Sequence, residues 1–516
     1  MKQRGDCKLF SKVNSMGLFG LDAFLVDVET DVSMGLPRFD IVGLPDTAVD
    51  EAKERVRAAL KNSGYDFPVS RITVNLAPAE RKKIGTVYDL PISMALLCAT
   101  KQISADLKNK AFIGELSLDG KIRKVSGVLP MIIMAQKLGI SEIYIPAENA
   151  AEGSVLNGID VYAVDNIKEL VAHLTGEQPL EKVKSSNFEV QEILYELPDF
   201  SDVKGQSEAK RALEVAAAGG HNIIFVGPPG SGKSMLAKRL PSILPEMTFE
   251  ESIETTNIHS IAGILPSGVP IVKSRPFRSP HHTVSAVGLT GGGAIPKPGE
   301  ISLSHNGVLF LDELPEFSRQ ALESMRQPLE DGVISISRAA GRLTYPSSVM
   351  LVCAMNPCPC GFSGHPKVEC VCSATAVEKY LSRISGPLLD RIDIHIEVPP
   401  VDYEQLTDKT PSESSEEIRK RVNAARLIQQ KRFEGTPVFC NARMTSLDVR
   451  KYCVLSESAQ QFLKRVFEKM NMSARAYDKV LKVARTIADL DSQEEIDILH
   501  ISEAVQYRSL DRKFRR

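Results

Sequence analysis

Gly227-Pro228-Pro229-Gly230-Ser231-Gly232-Lys233-Ser234 restricts this chain more than any other segment. It is a complete G-x-x-x-x-G-K-[ST] pattern, and such a loop works only between a buried strand and a helix. The flanks supply both. Asn222-Ile223-Ile224-Phe225-Val226 is a short apolar run of strand type, and Met235-Leu236-Ala237-Lys238-Arg239-Leu240 has helical spacing. The glycines let backbone N–H groups turn inward around phosphate oxygens. Lys233 sets a cation against the β and γ oxygens, and Ser234 offers its hydroxyl to Mg²⁺. The expected ligand is a nucleoside triphosphate.

The rest of the composition narrows the class. A length of 516 residues suggests about three domains. The formal net charge is −2, so a nucleic-acid site would have to be a local patch. No apolar run is long enough to span a membrane. MKQRGDCKLFSKV lacks the apolar core of a signal peptide. Nine cysteines, an odd number unevenly spread, speak for reduced thiols in the cytoplasm and against a secreted disulfide framework.

Along the chain, residues 1–175 alternate short β-like runs (Ala23 to Val28, Arg71 to Leu76, Glu142 to Pro146) with helical ones (Ala48 to Asn62, Leu90 to Thr100, Leu129 to Leu138). That is an α/β pattern. Residues 176–198 are polar, contain Pro179 and Pro198, and read as a linker. Residues 199–400 carry the nucleotide chemistry. After the polar stretch Thr410 to Ser415, residues 412–516 read as helical. Phe462, Leu463, Val466 and Phe467 recur at helical spacing, as do Val480, Leu481, Ala484, Ile487 and Ala488.

Gly307-Val308-Leu309-Phe310-Leu311-Asp312-Glu313 is an apolar strand ending in two carboxylates. Asp312 is expected in the Mg²⁺ shell. Glu313 is expected to polarise the attacking water, because hydrolysis needs a base in line with the γ-phosphate. A further apolar strand, Val349 to Ala354, ends in Met355-Asn356-Pro357. Here the chain resembles the AAA+ ATPases, whose first sensor is a polar residue at that strand end, which implies Asn356. Leu388-Leu389-Asp390-Arg391-Ile392-Asp393 resembles the arginine-finger segment of that class, with Arg391 as the finger and Arg383 as its alternative. Met472-Ser473-Ala474-Arg475 resembles the second sensor of the lid, which implies Arg475. A finger acting in trans implies a ring, a hexamer by resemblance.

The long segment between these strands, from Arg275-Pro276-Phe277-Arg278-Ser279-Pro280-His281-His282 through Gly291-Gly292-Gly293 to Asn306, looks like the helix-2 insertion of the magnesium-chelatase and MCM branch. Gly332 to Pro346 alternates apolar and polar residues about an Ala-Gly turn, like the pre-sensor-1 hairpin of that branch. On these strings the whole chain is similar to the bacterial ComM/YifB family of magnesium chelatase-like ATPases. The resemblance implies a Lon-protease-like (ribosomal S5 domain 2-like) α/β N-domain, a P-loop AAA+ core and a helical C-terminal lid. It also implies a hexameric, ATP- and Mg²⁺-dependent motor acting on single-stranded or branched DNA, a branch-migration helicase in recombination or natural transformation. Arg338 and Arg342 on the hairpin are the expected DNA contacts, with Tyr345 as a stacking aromatic nearby. Lys273, Arg275 and Arg278 add positive charge, and His281 and His282 are either ligands, DNA contacts or caps of the insertion.

In the N-domain, Gly114 to Gly120 followed by Val125-Ser126-Gly127-Val128-Leu129 resembles the Lon protease domain, which uses a Ser–Lys dyad. Met131 occupies the lysine position, and Tyr88 or Asp89 the serine position, so protease chemistry is not expected. A displaced dyad would need Ser93 with Lys82 or Lys83. Cys358, Cys360, Cys370 and Cys372 place four of the nine cysteines within fifteen residues. Two C-x-C pairs on one loop can surround a tetrahedral Zn²⁺, with His365 as a substitute ligand; four buried free thiols are the alternative. Two rivals to the motor reading stand: a magnesium-chelatase-type ATPase subunit remodelling a protein partner, and an ATP-dependent protease.

Overall fold

The computed structural model describes residues 9–185, 198–293, 296–338, 341–401, 403–407, 412–470 and 472–510. Most of the expected linker, residues 186–197, and the hairpin turn at 339–340 lie outside them. Contacts divide the chain into two units. One contains residues 1–192, 249–272 and 335–345; the other contains 193–248, 273–334 and 346–516. The segment 249–272 was expected within the nucleotide core by its place in the chain, yet it clusters with the N-terminal unit.

A seven-stranded sheet organises the first unit: β1 (Leu9–Phe19), β2 (Asp22–Ser33), β3 (Arg38–Val42), β4 (Arg71–Ala77), β5 (Lys110–Phe112), β6 (Glu142–Pro146) and β7 (Asp160–Val164), in the order β3-β4-β2-β1-β5-β6-β7. β1 and β2 form a long antiparallel hairpin with Ser15 opposite Val26, and β2 runs antiparallel to β4. The other pairings are parallel. β4 buries alternate residues Ile72, Val74 and Leu76, as a strand with one covered face must. The helix Asp89–Ala99 is apolar on nearly all sides and almost wholly buried, which suits a helix inside the core.

The helix Phe249–Ala262 joins this unit through a polar hub. Buried Glu152 accepts hydrogen bonds from Leu129 N–H (3.2 Å), Asn149 Nδ2 (2.7 Å) and the Ser260 hydroxyl, while Gly127 N–H donates to Ser260 O (3.1 Å). Three donors compensate the desolvation of one carboxylate. Val333–Arg338 and Gly341–Pro346 pair as a two-stranded sheet, the expected hairpin.

The second unit is built on five parallel strands: β8 (Ile223–Val226), β9 (Phe277–Arg278), β10 (Val308–Leu311), β11 (Met350–Met355) and β12 (Ile394–Glu397), ordered β9-β10-β11-β8-β12. β8, β10 and β11 are buried at every position, so both faces are covered. Beyond them, helices Ser415–Arg432, Ser446–Tyr452, Glu457–Met470, Ala474–Leu490 and Ile498–Gln506 complete the unit. Val480, Leu481, Ala484, Ile487 and Ala488 are buried, as their spacing predicts. Of the other expected stripe only Leu463 is buried, and Phe467 is exposed. No helix among the described residues is long and apolar enough to cross a membrane.

Candidate nucleotide site

Parallel strands share a direction, so loops after β8, β10 and β11 emerge at one edge of the sheet. Those loops carry the phosphate-loop residues, Asp312-Glu313 and Asn356 respectively. In the phosphate loop Gly230 and Gly232 hold left-handed φ of +77° and +89°, backbone that side-chain-bearing residues adopt at a cost. The helix Lys233–Arg239 begins directly after them.

Lys233 is 8% exposed. Its Nζ donates to Gly227 O (2.7 Å) and Pro228 O (2.8 Å) and reaches Asn356 Oδ1 at 3.3 Å. Burial holds its ammonium below the ordinary lysine range, opposed by Asp312 and Glu313. The Ser234 hydroxyl donates to Asp312 Oδ2 at 2.6 Å, so the two expected Mg²⁺ ligands lie side by side. That pair, beside the turned-in glycine backbone, fits a hydrated Mg²⁺ and its phosphates, because Mg²⁺ takes hard oxygen ligands and few from protein. Asp312 Oδ1 also accepts the Glu313 N–H at 3.0 Å.

Glu313 sits at φ +52°, ψ +47°, a conformation rare for a residue with a Cβ. Its side chain is 60% exposed, with Oε2 3.5 Å from His282 Nδ1. Sequence reasoning left His282 without a definite role. The structure puts it beside the expected base, its ring tilted 35° against that of His281 at 4.0 Å between centroids.

The arginines divide. Arg391 is 11% exposed; it donates to Arg326 O (3.1 Å) and Pro387 O (2.5 Å) and pairs with Glu330. Its own carbonyl accepts from Asn222 Nδ2 at 2.8 Å. Arg383 is half exposed and pairs with Glu316 at 2.9 Å, beside a groove of about 580 Å³. Arg475 is exposed in the first turn of the helix Ala474–Leu490.

The expected aromatic contact of a DNA face needs correction, and two arginines expected to add positive charge prove to be held by local acceptors. Tyr345 is wholly buried, with its phenol pushed up to about 12 by burial, so it cannot stack on a base. Arg275 spends its guanidinium on the carbonyls of Pro245, Asn306 and Glu246. Arg278 is forked onto Glu300 at 2.7 and 2.9 Å. Strand alternation placed Tyr345 inward, and the two arginines satisfy local acceptors. Arg342 is exposed and donates to Ser335 Oγ at 3.0 Å; Arg338 lies on the facing strand.

In the other unit, Met131 and Tyr88 are buried in the core. Asp89 is clamped by Arg55 at 2.6 and 3.0 Å. The Ser93 hydroxyl donates to Asp89 O and Lys83 to Pro78 O, so Ser93 and Lys83 serve backbone carbonyls.

Cys358, Cys360, Cys370 and Cys372 bring their sulfurs together, all within 4.8 Å of one another. His365 is elsewhere engaged: its Nδ1 accepts Lys367 N–H (3.1 Å) and Val368 N–H (2.9 Å). The eight cysteines among the described residues are free thiols.

A glycine phosphate loop, an acidic strand end and a polar strand end on one parallel sheet define a P-loop protein with an AAA+-like core. Comparison with known proteins agrees. Residues 28–149 match the family described as "Subunit ChlI of Mg-chelatase", 199–406 "Magnesium chelatase, subunit ChlI", and 412–508 "Magnesium chelatase, subunit ChlI C-terminal". The chain is 44% identical over 510 residues to "Competence protein ComM" of Haemophilus influenzae, covering 97% of each. It is 43% identical over 505 residues to the Escherichia coli protein YifB, again 97% of each. Similarity to the "Magnesium-chelatase 67 kDa subunit" of Chlorobaculum parvum is 27% over 164 residues, 31% of this chain and 23% of that one. The chain belongs to the ComM/YifB family of magnesium chelatase-like proteins.

Proposed function

We propose that the protein is an ATP-hydrolysing AAA+ motor that works as a hexameric ring on single-stranded or branched DNA in the cytoplasm, driving branch migration during recombination or DNA uptake. The observation that carries the ATPase part is the meeting of Lys233, Ser234, Asp312 and Asn356 at one sheet edge. Mg²⁺ with ATP supplies the electrophilic γ-phosphorus and the charge that draws electrons from it. The chain does the rest. Lys233 and the loop amides bind and orient the phosphates. Ser234 and Asp312 hold the metal's place. Glu313 takes the proton of an attacking water at its carboxylate, and Asn356 orients the reacting end. Arg391, or the more exposed Arg383, offsets developing charge from a neighbouring copy, and Arg475 closes on the nucleotide from a helical lid.

The DNA part rests on Arg338 and Arg342 on one hairpin and on the similarity to a protein named for competence. In this reading the N-terminal unit is a Lon-like fold without protease chemistry that serves as a collar, and the four cysteines seat a structural Zn²⁺. ATP turnover measured with no DNA, single strands, duplex and a four-way junction tests it. Stimulation by single-stranded or branched DNA is expected. Indifference to every DNA, together with stimulation by a protein partner, would instead favour the second reading, a chelatase-type subunit. The partial match to the 67 kDa magnesium-chelatase subunit is what keeps that reading alive.

A further inference from the structure

Residues 357–373 contain no helix or strand. A stretch that long without regular structure needs another source of order. It lies directly after Asn356, at the edge where the phosphate loop emerges. Its sulfurs are the natural source. Cys358 and Cys360 approach to 3.4 Å, and Cys370 lies 3.6 Å from each. A disulfide needs about 2.05 Å. Four sulfurs each about 2.3 Å from one tetrahedral ion stand roughly 3.8 Å apart. The observed spacing therefore suits four ligands round a centre rather than two disulfides. Cys358 is buried, and Ser363 N–H donates to its Sγ at 3.3 Å, the kind of bond that supports a sulfur carrying negative charge. The pattern is C-x-C twice, so the two short pairs must be folded together by the nine residues between them.

The loop also touches the nucleotide machinery. Gly361 holds φ +86°, and a Cβ there would stand 2.5 Å from Cδ of Pro229 and 3.8 Å from Cγ of Asn356. The backbone at Gly361 is thus packed on the phosphate loop, one residue beyond Cys360. A change in how the four sulfurs are held must move that backbone, and Pro229 with it.

We infer that the four cysteines bind one Zn²⁺ and that this ion braces the phosphate loop, so zinc occupancy and nucleotide affinity are linked. Four thiols lose their protons as the ion binds, and no oxidant is required. The soft sulfur set selects zinc over Mg²⁺, which goes to the hard oxygens of Ser234 and Asp312. The brace works through contact: the ion fixes the turn at Gly361, the turn seats Pro229, and the seated loop presents its amides. The linkage is reciprocal, so nucleotide must hold zinc more tightly by the same factor that zinc tightens nucleotide. This inference rests on reading the Lys233–Ser234 loop as a triphosphate site.

Full-length protein purified without chelators is assayed for zinc by mass spectrometry and for affinity with a fluorescent ATP analogue. We expect about one zinc per chain. Stripping the metal with a thiol-directed mercurial and reducing again should weaken nucleotide binding about tenfold, and added Zn²⁺ should restore it. ATP should slow zinc loss to a chromogenic chelator. Cys370→Ser with Cys372→Ser should lose the zinc. To separate zinc loss from simple misfolding of that variant, Gly361→Ala is measured beside it. That variant keeps all four sulfurs and should keep zinc while binding nucleotide more weakly. Substoichiometric zinc overturns the metal site. Stoichiometric zinc, with equal nucleotide affinity in loaded, stripped and Gly361→Ala protein, overturns the brace. Zinc-loaded protein that binds no nucleotide at all overturns the triphosphate reading instead and leaves the metal site standing.

Discussion

Lys233 shows how much one side chain can be asked to do. It is buried, held below its ordinary pKa by that burial, and served by two loop carbonyls and Asn356. Lys233→Ala is expected to abolish ATP binding, and equal affinity in variant and wild type would refute the assignment. Glu313 is different: its exposed carboxylate touches His282 but not the Ser234–Asp312 pair. Glu313→Gln should therefore bind ATP normally and lose turnover by about 100-fold or more. A single-turnover measurement that finds hydrolysis at the wild-type rate would remove Glu313 from its role. The residue scale also shows where sequence reading failed. Tyr345, Arg275 and Arg278 have the chemistry of DNA contacts, and each is spent on burial or on a partner within its own unit.

At the scale of elements, the buried polar hubs decide what stays packed. Glu152 ties the helix Val128–Lys137 to the helix Phe249–Ala262 through Leu129 N–H and the Ser260 hydroxyl. Glu152→Ala leaves those donors buried and unpaired, and should cost on the order of 3 kcal/mol, read as a lower Tm. Ser260→Ala should cost less, since it removes one donor and keeps the carboxylate's other bonds. A second hub joins β12 to the helix Ala474–Leu490. Asp393 contacts Lys479 Nζ at 2.8 Å and His221 Nδ1 at 3.4 Å. Burial works against ionisation of Asp393, yet Lys479 and His221 overcome it and hold the carboxyl well below its usual range. Burial also holds His221 below the ordinary histidine range, against the pull of Asp393. A depressed histidine means that the unfolded chain takes up a proton near pH 6.5 that the folded chain refuses. Stability is then full above about pH 6.5 and falls as pH drops through it, by up to about 1.4 kcal/mol per pH unit. Asp393 adds a further loss only below about pH 4. Between pH 8 and pH 5, wild type should lose more Tm than His221→Gln. Parallel curves would show that His221 is not the group responsible.

At the scale of the whole molecule, the proposed ring predicts composite sites. Arg391→Ala and Lys233→Ala, each inactive alone, should recover part of the ATPase when mixed, because one copy supplies the phosphate loop and the next the arginine. The same mixture with Arg383→Ala tests the more exposed candidate. No recovery at any ratio for either arginine would argue against a finger acting between copies. The hairpin gives the other test. Replacing Arg338 and Arg342 by Glu should leave DNA-free ATPase near normal, since neither lies among the Lys233–Asp312 contacts. DNA affinity should fall, and its dependence on salt should flatten, because fewer phosphate contacts release fewer counterions. A double variant that binds and moves DNA like wild type would end the hairpin proposal.

Local chemistry was legible because it is written in consecutive residues. The phosphate loop, the Asp312-Glu313 strand end and the helix stripe from Val480 to Ala488 follow from motif and period, since backbone geometry repeats every two or 3.6 residues wherever it occurs, while Asn356 needed the resemblance to AAA+ ATPases as well. Four cysteines in fifteen residues announced a cluster for the same reason. Long-range packing was not legible, because it depends on which surfaces meet. Nothing in the order of residues says that Phe249–Ala262 packs in the N-terminal unit against the helix Val128–Lys137, that His282 stands beside Glu313, or that Gly361 rests on Pro229. The buried Arg485, clamped by Asp489 and two carbonyls, likewise reads as a surface charge until the tertiary structure closes over it. Periodicity fixes which face of an element is apolar; only the folded chain decides what lies against it, and there a desolvated charge persists only where its partners are already in place.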